Sequence, residues 1–481
     1  ILLTSISKTF HNNRLFYEKC TKSLAPKKLS RNLCAFSTEP IISREKFSCQ
    51  ENEEDLQEIR SAYKIVPDKN GRRKKMQVEE RLMRYITVKT PCDENVECVP
   101  TTKCQFDLAE ILVRELKELG IEDARLDAHC FVYGTLKATE GYENRKKIGF
   151  IAHMDTVSEF CEGEITPVRL ENYNGEDIKL KECGRVISTE DFPHLKEWKG
   201  RTLITSDGRT ILGVDDKAGI AEIMEMLRIV IEEKIPHGQI SVAFTPDEEC
   251  GLGAAYFDLD AFDADVAYTL DGDGEGEIQY QNFNACEARF SVEGKSVHPG
   301  SAKNVMINAV LLAAEINQML PKYETPRYTE GYEGFYHLLT IHGDESHAVM
   351  EYIVRDHDET SFRARKETLR HIEKSMNEIW GEGTVSLELK DEYKNMECIV
   401  KDHFYLIENA KKACELAGAE PVICPIRGGT DGCKLSFKGL PCPNLGTGGH
   451  GYHGPLEHVS VEGMEKAVQI IVELVKIFAE K

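Results

Sequence analysis

Apolar residues recur along this chain at two spacings, and the switches between them mark out the elements. Leu108, Ile111, Leu112, Leu116 and Leu119 share one helical face that stops at Gly120, a residue suited to ending a helix. Leu82, Met83 and Ile86 mark a shorter helix, followed by the turn-like Lys89-Thr-Pro-Cys-Asp93. Continuous apolar runs then occupy residues 148–152, 240–244 and 266–270, with a helical stretch over 218–232 between the first two. Buried strands alternating with helices predict an α/β sheet, and ligands of such sheets gather in the loops beyond the strand ends.

A second unit interrupts the alternation. From about residue 285 the pattern predicts a strand over 288–292, a helix over 305–320 and strands around 337–342 and 348–356. A helix over 359–379 and a strand over 385–390 complete it. That βαββαβ order is a ferredoxin-like sandwich. The α/β pattern resumes near His403 and closes on a helix over 461–479. The expected organisation is therefore a basic extension over 1–75, a catalytic domain over 76–284 and 399–481, and an inserted domain over 285–398.

Composition narrows the choice of partners. The 481 residues are 41% hydrophobic, enough for one large or two ordinary cores, and 82 acidic against 60 basic residues leave a net charge of -22. That charge argues against nucleic acid and anionic membranes as partners. No run approaches the ~18 apolar residues of a membrane span, so a soluble chain is expected. Sixteen cysteines occur without CxxC pairs, which suits a reducing compartment such as the cytoplasm. Cys424, Cys433 and Cys442 read as small buried side chains. Residues 1–48 differ from the rest: nine basic residues against three acidic ones resemble an organellar transit peptide, the alternative to a cytoplasmic location. Arg72-Arg-Lys-Lys75 reads as a solvated linker.

The chemistry lies where the apolar runs end. His153 and Asp155 close the first run, and the carboxylate could orient the imidazole through its second nitrogen. Gly213-Val-Asp-Asp-Lys-Ala-Gly219 opens a helix with adjacent acids, of which only one can face a site; helix capping would explain them equally well. Thr245-Pro-Asp-Glu-Glu-Cys-Gly251 places two carboxylates after a strand, one to bind metal and one to take a proton from water. Asp271 ends a further run within Asp-Gly-Asp-Gly274, which lacks the remaining ligands of a calcium loop. His453 sits in the glycine-rich Gly446-Thr-Gly-Gly-His-Gly-Tyr-His-Gly454, where His450 and His458 compete with it. Each pattern alone is bland, but five strand-end clusters of imidazole and carboxylate point to a divalent-metal hydrolase.

The blocks His153-Met-Asp155, Leu212-Gly-Val-Asp-Asp-Lys-Ala-Gly219, Pro246-Asp-Glu-Glu249, His298-Pro-Gly300, Arg427-Gly-Gly-Thr-Asp-Gly432 and Tyr452-His-Gly454 make the sequence specific. From about Met76 to Lys481 it resembles the peptidase T family, tripeptide aminopeptidases among the co-catalytic zinc exopeptidases. The likeness extends through Asn282-Phe-Asn284, Thr329-Glu-Gly-Tyr-Glu-Gly334 and Arg355-Asp-His-Asp358.

The resemblance implies a zinc-exopeptidase-like α/β catalytic domain with an inserted ferredoxin-like lid. Two zinc ions would be bridged by Asp215, one held also by His153 and Asp271, the other by Glu249 and His453. It further implies a cis peptide between Asp215 and Asp216, Asp155 orienting His153, and Glu248 as the general base. His298 would steady the oxyanion, and Asn304 and Arg427 would meet the substrate's carboxyl end. The implied partners are short peptides, with a homodimer allowed. A related two-metal dipeptidase, carboxypeptidase or N-acyl amino-acid hydrolase is the rival enzyme, and a non-catalytic homologue the rival from another class.

Overall fold

In the computed structural model, which describes residues 76–480, the apolar runs become the middle of an eight-stranded sheet. The expectations for residues 1–75, including the transit-peptide reading, lie outside the described residues. The first half of the chain supplies α1 (Val78–Tyr85), α2 (Gln105–Glu118), β1 (Arg125–Leu126), β2 (Val132–Leu136) and β3 (Ile148–His153). It continues with β4 (Pro167–Leu170), β5 (Leu203–Ser206), α3 (Val214–Glu232), β6 (Ile240–Thr245), β7 (Val266–Gly272) and β8 (Glu277–Gln279). The interrupting unit contains β9 (Asn284–Glu293), α4 (Ala309–Met319), β10 (Phe335–Gly343), β11 (His347–Asp356), α5 (Glu359–Trp380) and β12 (Val385–Tyr393). The chain returns through α6 (Tyr405–Ala417), β13 (Val422–Ile423), α7 (Asp431–Phe437), β14 (Asn444–Gly446), β15 (Gly449–His450), β16 (His458–Ser460) and α8 (Val461–Glu480).

The large sheet has the order β1-β2-β6-β3-β7-β14-β8-β13. β3 runs parallel to both β6 and β7, and every residue of β3 and β6 is buried, as expected of strands covered on both faces. One face packs on α1, α2, α3 and α8 through residues such as Leu82, Leu112, Ile223 and Ile471. The other meets Phe131, Tyr133, Phe257, Phe262 and Leu435. Gly149 permits that second layer, because a Cβ there would lie 2.3 Å from the Phe262 ring. β14, which follows the interruption, lies parallel against β7, so the two halves of the chain share one sheet.

The interrupting unit folds as the βαββαβ pattern predicts, with an antiparallel sheet of order β10-β11-β9-β12. α4 and α5 cover one face around Phe290, Leu312, Ile316, Met350, Leu369 and Met376. The helix predicted over 305–320 starts only at Ala309. Asn308 caps it by accepting Leu311 N–H at 3.1 Å, while Ile307 is held extended by its bridge to Lys295.

A third sheet, β15-β16-β5-β4, has no signal in the sequence pattern, since its strands are only two to four residues long. It matters because the loop carrying His453 hangs between β15 and β16. Among the described residues, no helix is long and apolar enough to cross a membrane.

Candidate active site

The parallel strands deliver their reactive residues to one edge of the sheet. His153 is the last residue of β3, Asp271 lies near the end of β7, Glu248 and Glu249 follow β6, and Asp215 stands in the first turn of α3. The hairpin from the third sheet brings His453 to the same place. Asp215 is the meeting point: one carboxylate oxygen lies 2.9 Å from His153 Nε2, the other 3.2 Å from His453 Nε2. His153 Nε2 is also 3.5 Å from Asp271, and His453 Nε2 is 3.1 Å from Glu249. The residues therefore divide into two sets, His153 with Asp271 and His453 with Glu249, that share Asp215.

The neighbouring acid has another task. Asp216 lies close enough to His153 and Asp271 to be grouped with them as a candidate ligand, but its carboxylate already accepts His153 N–H at 3.1 Å and Gly219 N–H at 3.2 Å. Asp215, whose carboxylate oxygens face histidine side chains, is grouped with His153 and Glu249 as a second candidate set. The peptide bond joining the two aspartates is cis.

Surrounding hydrogen bonds hold this arrangement. The Asp155 carboxylate, fully buried, accepts the N–H groups of Glu248 at 3.0 Å and Glu249 at 3.1 Å. His153 Nδ1 lies 3.1 Å from the Asp155 carbonyl and 3.4 Å from its carboxylate, so Asp155 orients the ring chiefly through its backbone. Asp247, buried at positive φ, accepts Thr101 N–H, Thr101 Oγ1–H and Gln105 Nε2–H, which fixes the turn that presents Glu248. Glu457 accepts Leu212 N–H and Gly213 N–H and so ties the His453 hairpin to the turn before Asp215.

The three competing histidines separate cleanly. His453 alone reaches Asp215 and Glu249. His450 stacks on His194 at 3.7 Å between ring centroids, and His458 Nε2 lies 2.9 Å from His194 Nε2. Burial and mutual repulsion push His450 down to about 2 and His194 to about 4, so these rings pack as neutral aromatics.

Electrostatics shows what the cluster could hold. Burial and Asp215 push Asp271 up to about 7, burial and Asp215 raise Glu249, and burial and Asp271 hold Glu248 well above the ordinary carboxylate range. Burial would also raise Asp215, but hydrogen bonds from His153 and His453 pull it below its usual value. Bonds to Asp215 and Glu249 lift His453 to about 11. Four carboxylates crowded around two imidazoles are an acidic cage that divalent cations would neutralise. Contacts of 2.9 to 3.5 Å between the donor atoms also fit, because metal bonds of about 2.0–2.2 Å place tetrahedral ligands roughly 3.3 Å apart.

The sign of these shifts gives a test in metal-free protein. Asp271 binds its proton more tightly folded than unfolded, so its contribution to stability is complete below about 3.9 and is lost as pH rises through 7. Glu248 and Glu249 shift the same way, whereas the contribution of Asp215 is already complete above pH ~4. In chelator, Tm should fall by about 5 °C between pH 5 and pH 8, and divalent metal should restore it at pH 8. Melts that are flat or rising with pH would contradict this account.

The cluster lines a cavity of about 340 Å3, whose other wall is Tyr393, Ile426, Gly428, Gly429, Thr430 and Lys434. His298, Asn304 and Arg427 do not line it. His298 and Asn304 are exposed on the segment between β9 and α4, where His298 Nδ1 accepts Gly300 N–H and Asn304 has a φ of 58°. Arg427 departs from the expected carboxylate clamp. Its guanidinium donates to the carbonyls of Gly331, Glu333 and Thr329 and to Thr329 Oγ1, beside the rings of Phe283 and Phe335. Those bonds join residues 329–333 to the glycine loop through Nη1 and Nη2. The sequence reading missed Tyr393, Lys434 and Glu457; for Lys434 a signal existed, since it stands one helical turn beyond Thr430 in a block already singled out.

Comparison with known proteins shows the family. The profile of Peptidase family M20/M25/M40 matches residues 149–477. A curated protein of Clostridium perfringens named Peptidase T is 48% identical over 405 residues, covering 84% of this chain and 99% of the relative. Among solved structures, an aminopeptidase PepT from Bacillus cereus superposes with a TM-score of 0.67 at 24% identity, over 84% of this chain and 98% of that one. A Bacillus subtilis M20 peptidase described as binding a dinuclear metal superposes with a TM-score of 0.56 at 16% identity, over 84% and 99% of the two chains. The large sheet with its inserted antiparallel unit is the M20 catalytic domain and lid, and the chain belongs to Peptidase family M20/M25/M40, in the group that includes peptidase T.

Proposed function

We infer that this protein is a two-metal aminopeptidase that releases the N-terminal residue from tripeptides, with zinc as the native ion. The observation that carries the reading is Asp215, whose two carboxylate oxygens each face a different histidine. On this reading His153 and Asp271 hold one ion, His453 and Glu249 the other, and Asp215 belongs to both. When bound, the ions supply Lewis acidity and lower the pKa of water toward neutrality.

The chain's own residues do the rest. Glu248 contacts neither histidine and stands at the cavity wall, free to take the proton of the attacking water and return it to the leaving amine. Asp155 keeps Glu248, Glu249 and His153 in register through three hydrogen bonds. His298 and Asn304 are assigned to substrate contacts made from the inserted unit. The catalytic domain is taken as residues 76–284 with 399–481, and the lid as 285–398. All thirteen cysteines among the described residues are free, which accords with work in the cytoplasm.

Metal content and tripeptide hydrolysis, measured before and after chelation, test this. Two ions per chain, loss of activity in chelator and recovery with zinc are expected. Free tripeptides should be cleaved and N-blocked ones spared; cleavage of only the blocked peptides would make the protein an N-acyl amino-acid hydrolase instead.

A further inference from the structure

Among the described residues, the cavity lining has one cationic side chain apart from histidine. The lining includes His153, Asp215, Glu248, Glu249, Asp271 and His453, and of the described residues that share it only Lys434 carries a fixed positive charge. A tripeptide is negative at its carboxyl end, and Arg427 is bonded to residues 329–333 outside this wall. We propose that Lys434 receives the substrate's terminal carboxylate and is thereby the residue that selects short peptides with a free carboxyl end. The proposal rests on the tripeptide aminopeptidase reading of the site and adds the group that reads substrate length.

Placement and reach support it. Lys434 lies on α7, one turn past Thr430, and its ammonium donates to the Gly251 carbonyl. One of three donors is thus used, and the others are free to meet an anion. Among the described residues no carboxylate forms an ion pair with Lys434. Gly251 is two residues beyond Glu249 in a turn closed by Gly251 N–H to the Glu248 carbonyl. The ammonium is thereby held to the turn that carries Glu248 and Glu249. In a tripeptide whose first carbonyl sits at the metals, the carboxylate lies about two residues farther on, roughly 7 Å along extended chain. Gly428 lines the same cavity, and a Cβ there would meet nothing within 4 Å, so the lining leaves open space at that residue.

The test uses the zinc-loaded full chain, trialanine and trialanine amide, with Lys434→Met and Lys434→Arg. Lys434→Met should lower kcat/KM for trialanine by about 10- to 100-fold, mostly through KM, and leave the amide unchanged. Lys434→Arg should recover most of the loss, since it keeps the charge. Equal cleavage of acid and amide by the wild type would overturn the proposal and leave the aminopeptidase reading intact. An equal loss on both substrates in Lys434→Met would also overturn it, because Lys434 would then only pin the Gly251 turn. No cleavage of either by the wild type would overturn both readings.

Discussion

Glutamine in place of Glu248 is expected to lower kcat by about 10²- to 10⁴-fold while metal content stays at the wild-type level. The size follows from what is removed. The amide has nearly the same shape, and the backbone N–H of residue 248 still donates to Asp155, so the turn that carries it should hold. What disappears is, among the described residues of the cavity wall, the only carboxylate that neither contacts a histidine nor bonds to backbone amides. A neutral amide cannot take a proton from water. The same change removes a carboxyl that burial and Asp271 hold well above its ordinary range, so the metal-free variant should melt higher than wild type at pH 8. Kinetics and metal analysis on one preparation decide the matter: an unchanged rate removes Glu248 from the mechanism, and lost metal makes it a ligand.

The second large effect is expected from Asp215→Asn. Asparagine keeps one acceptor oxygen but presents an N–H2 group where the other carboxylate oxygen faces a histidine. On the proposed ligand set, both ion positions would lose a shared negative ligand at once. Loss of an outer-sphere partner alone commonly costs 10- to 100-fold in metal affinity, so here the loss should exceed about 100-fold, with peptide hydrolysis falling to background. By contrast, Asp271→Asn touches only the His153 side and should weaken one ion more than the other. An Asp215→Asn protein that still holds two ions and cleaves at the wild-type rate would refute the shared-ligand arrangement.

How far the sequence could be read depended on the range of each interaction. β3, β6, α3, α5 and α8 fall close to their predicted spans, because apolar periodicity is a local property and each element buries its own face. β4, β5, β15 and β16 left no trace, since strands of two to four residues have no measurable period. Their sheet nevertheless places His453. The start of α4 shifted because Asn308 and the Lys295 to Ile307 bridge outweigh the helical preference of residues 305–308.

The sequence by itself determined the kinds of donor atom, their positions at strand ends, the α/β frame and the inserted βαββαβ unit. Only the tertiary structure decided which members of each cluster work together. It brought His453, and not His450 or His458, to Asp215, turned Asp216 toward backbone amides, engaged Arg427 with residues 329–333 and brought Lys434 into the cavity. The reason is separation along the chain. His453 and Asp215 are 238 residues apart, and their meeting depends on β14 inserting beside β7 and on Glu457 tying the last hairpin to the turn before α3. Local patterning cannot express bonds that exist only once the sheet has closed.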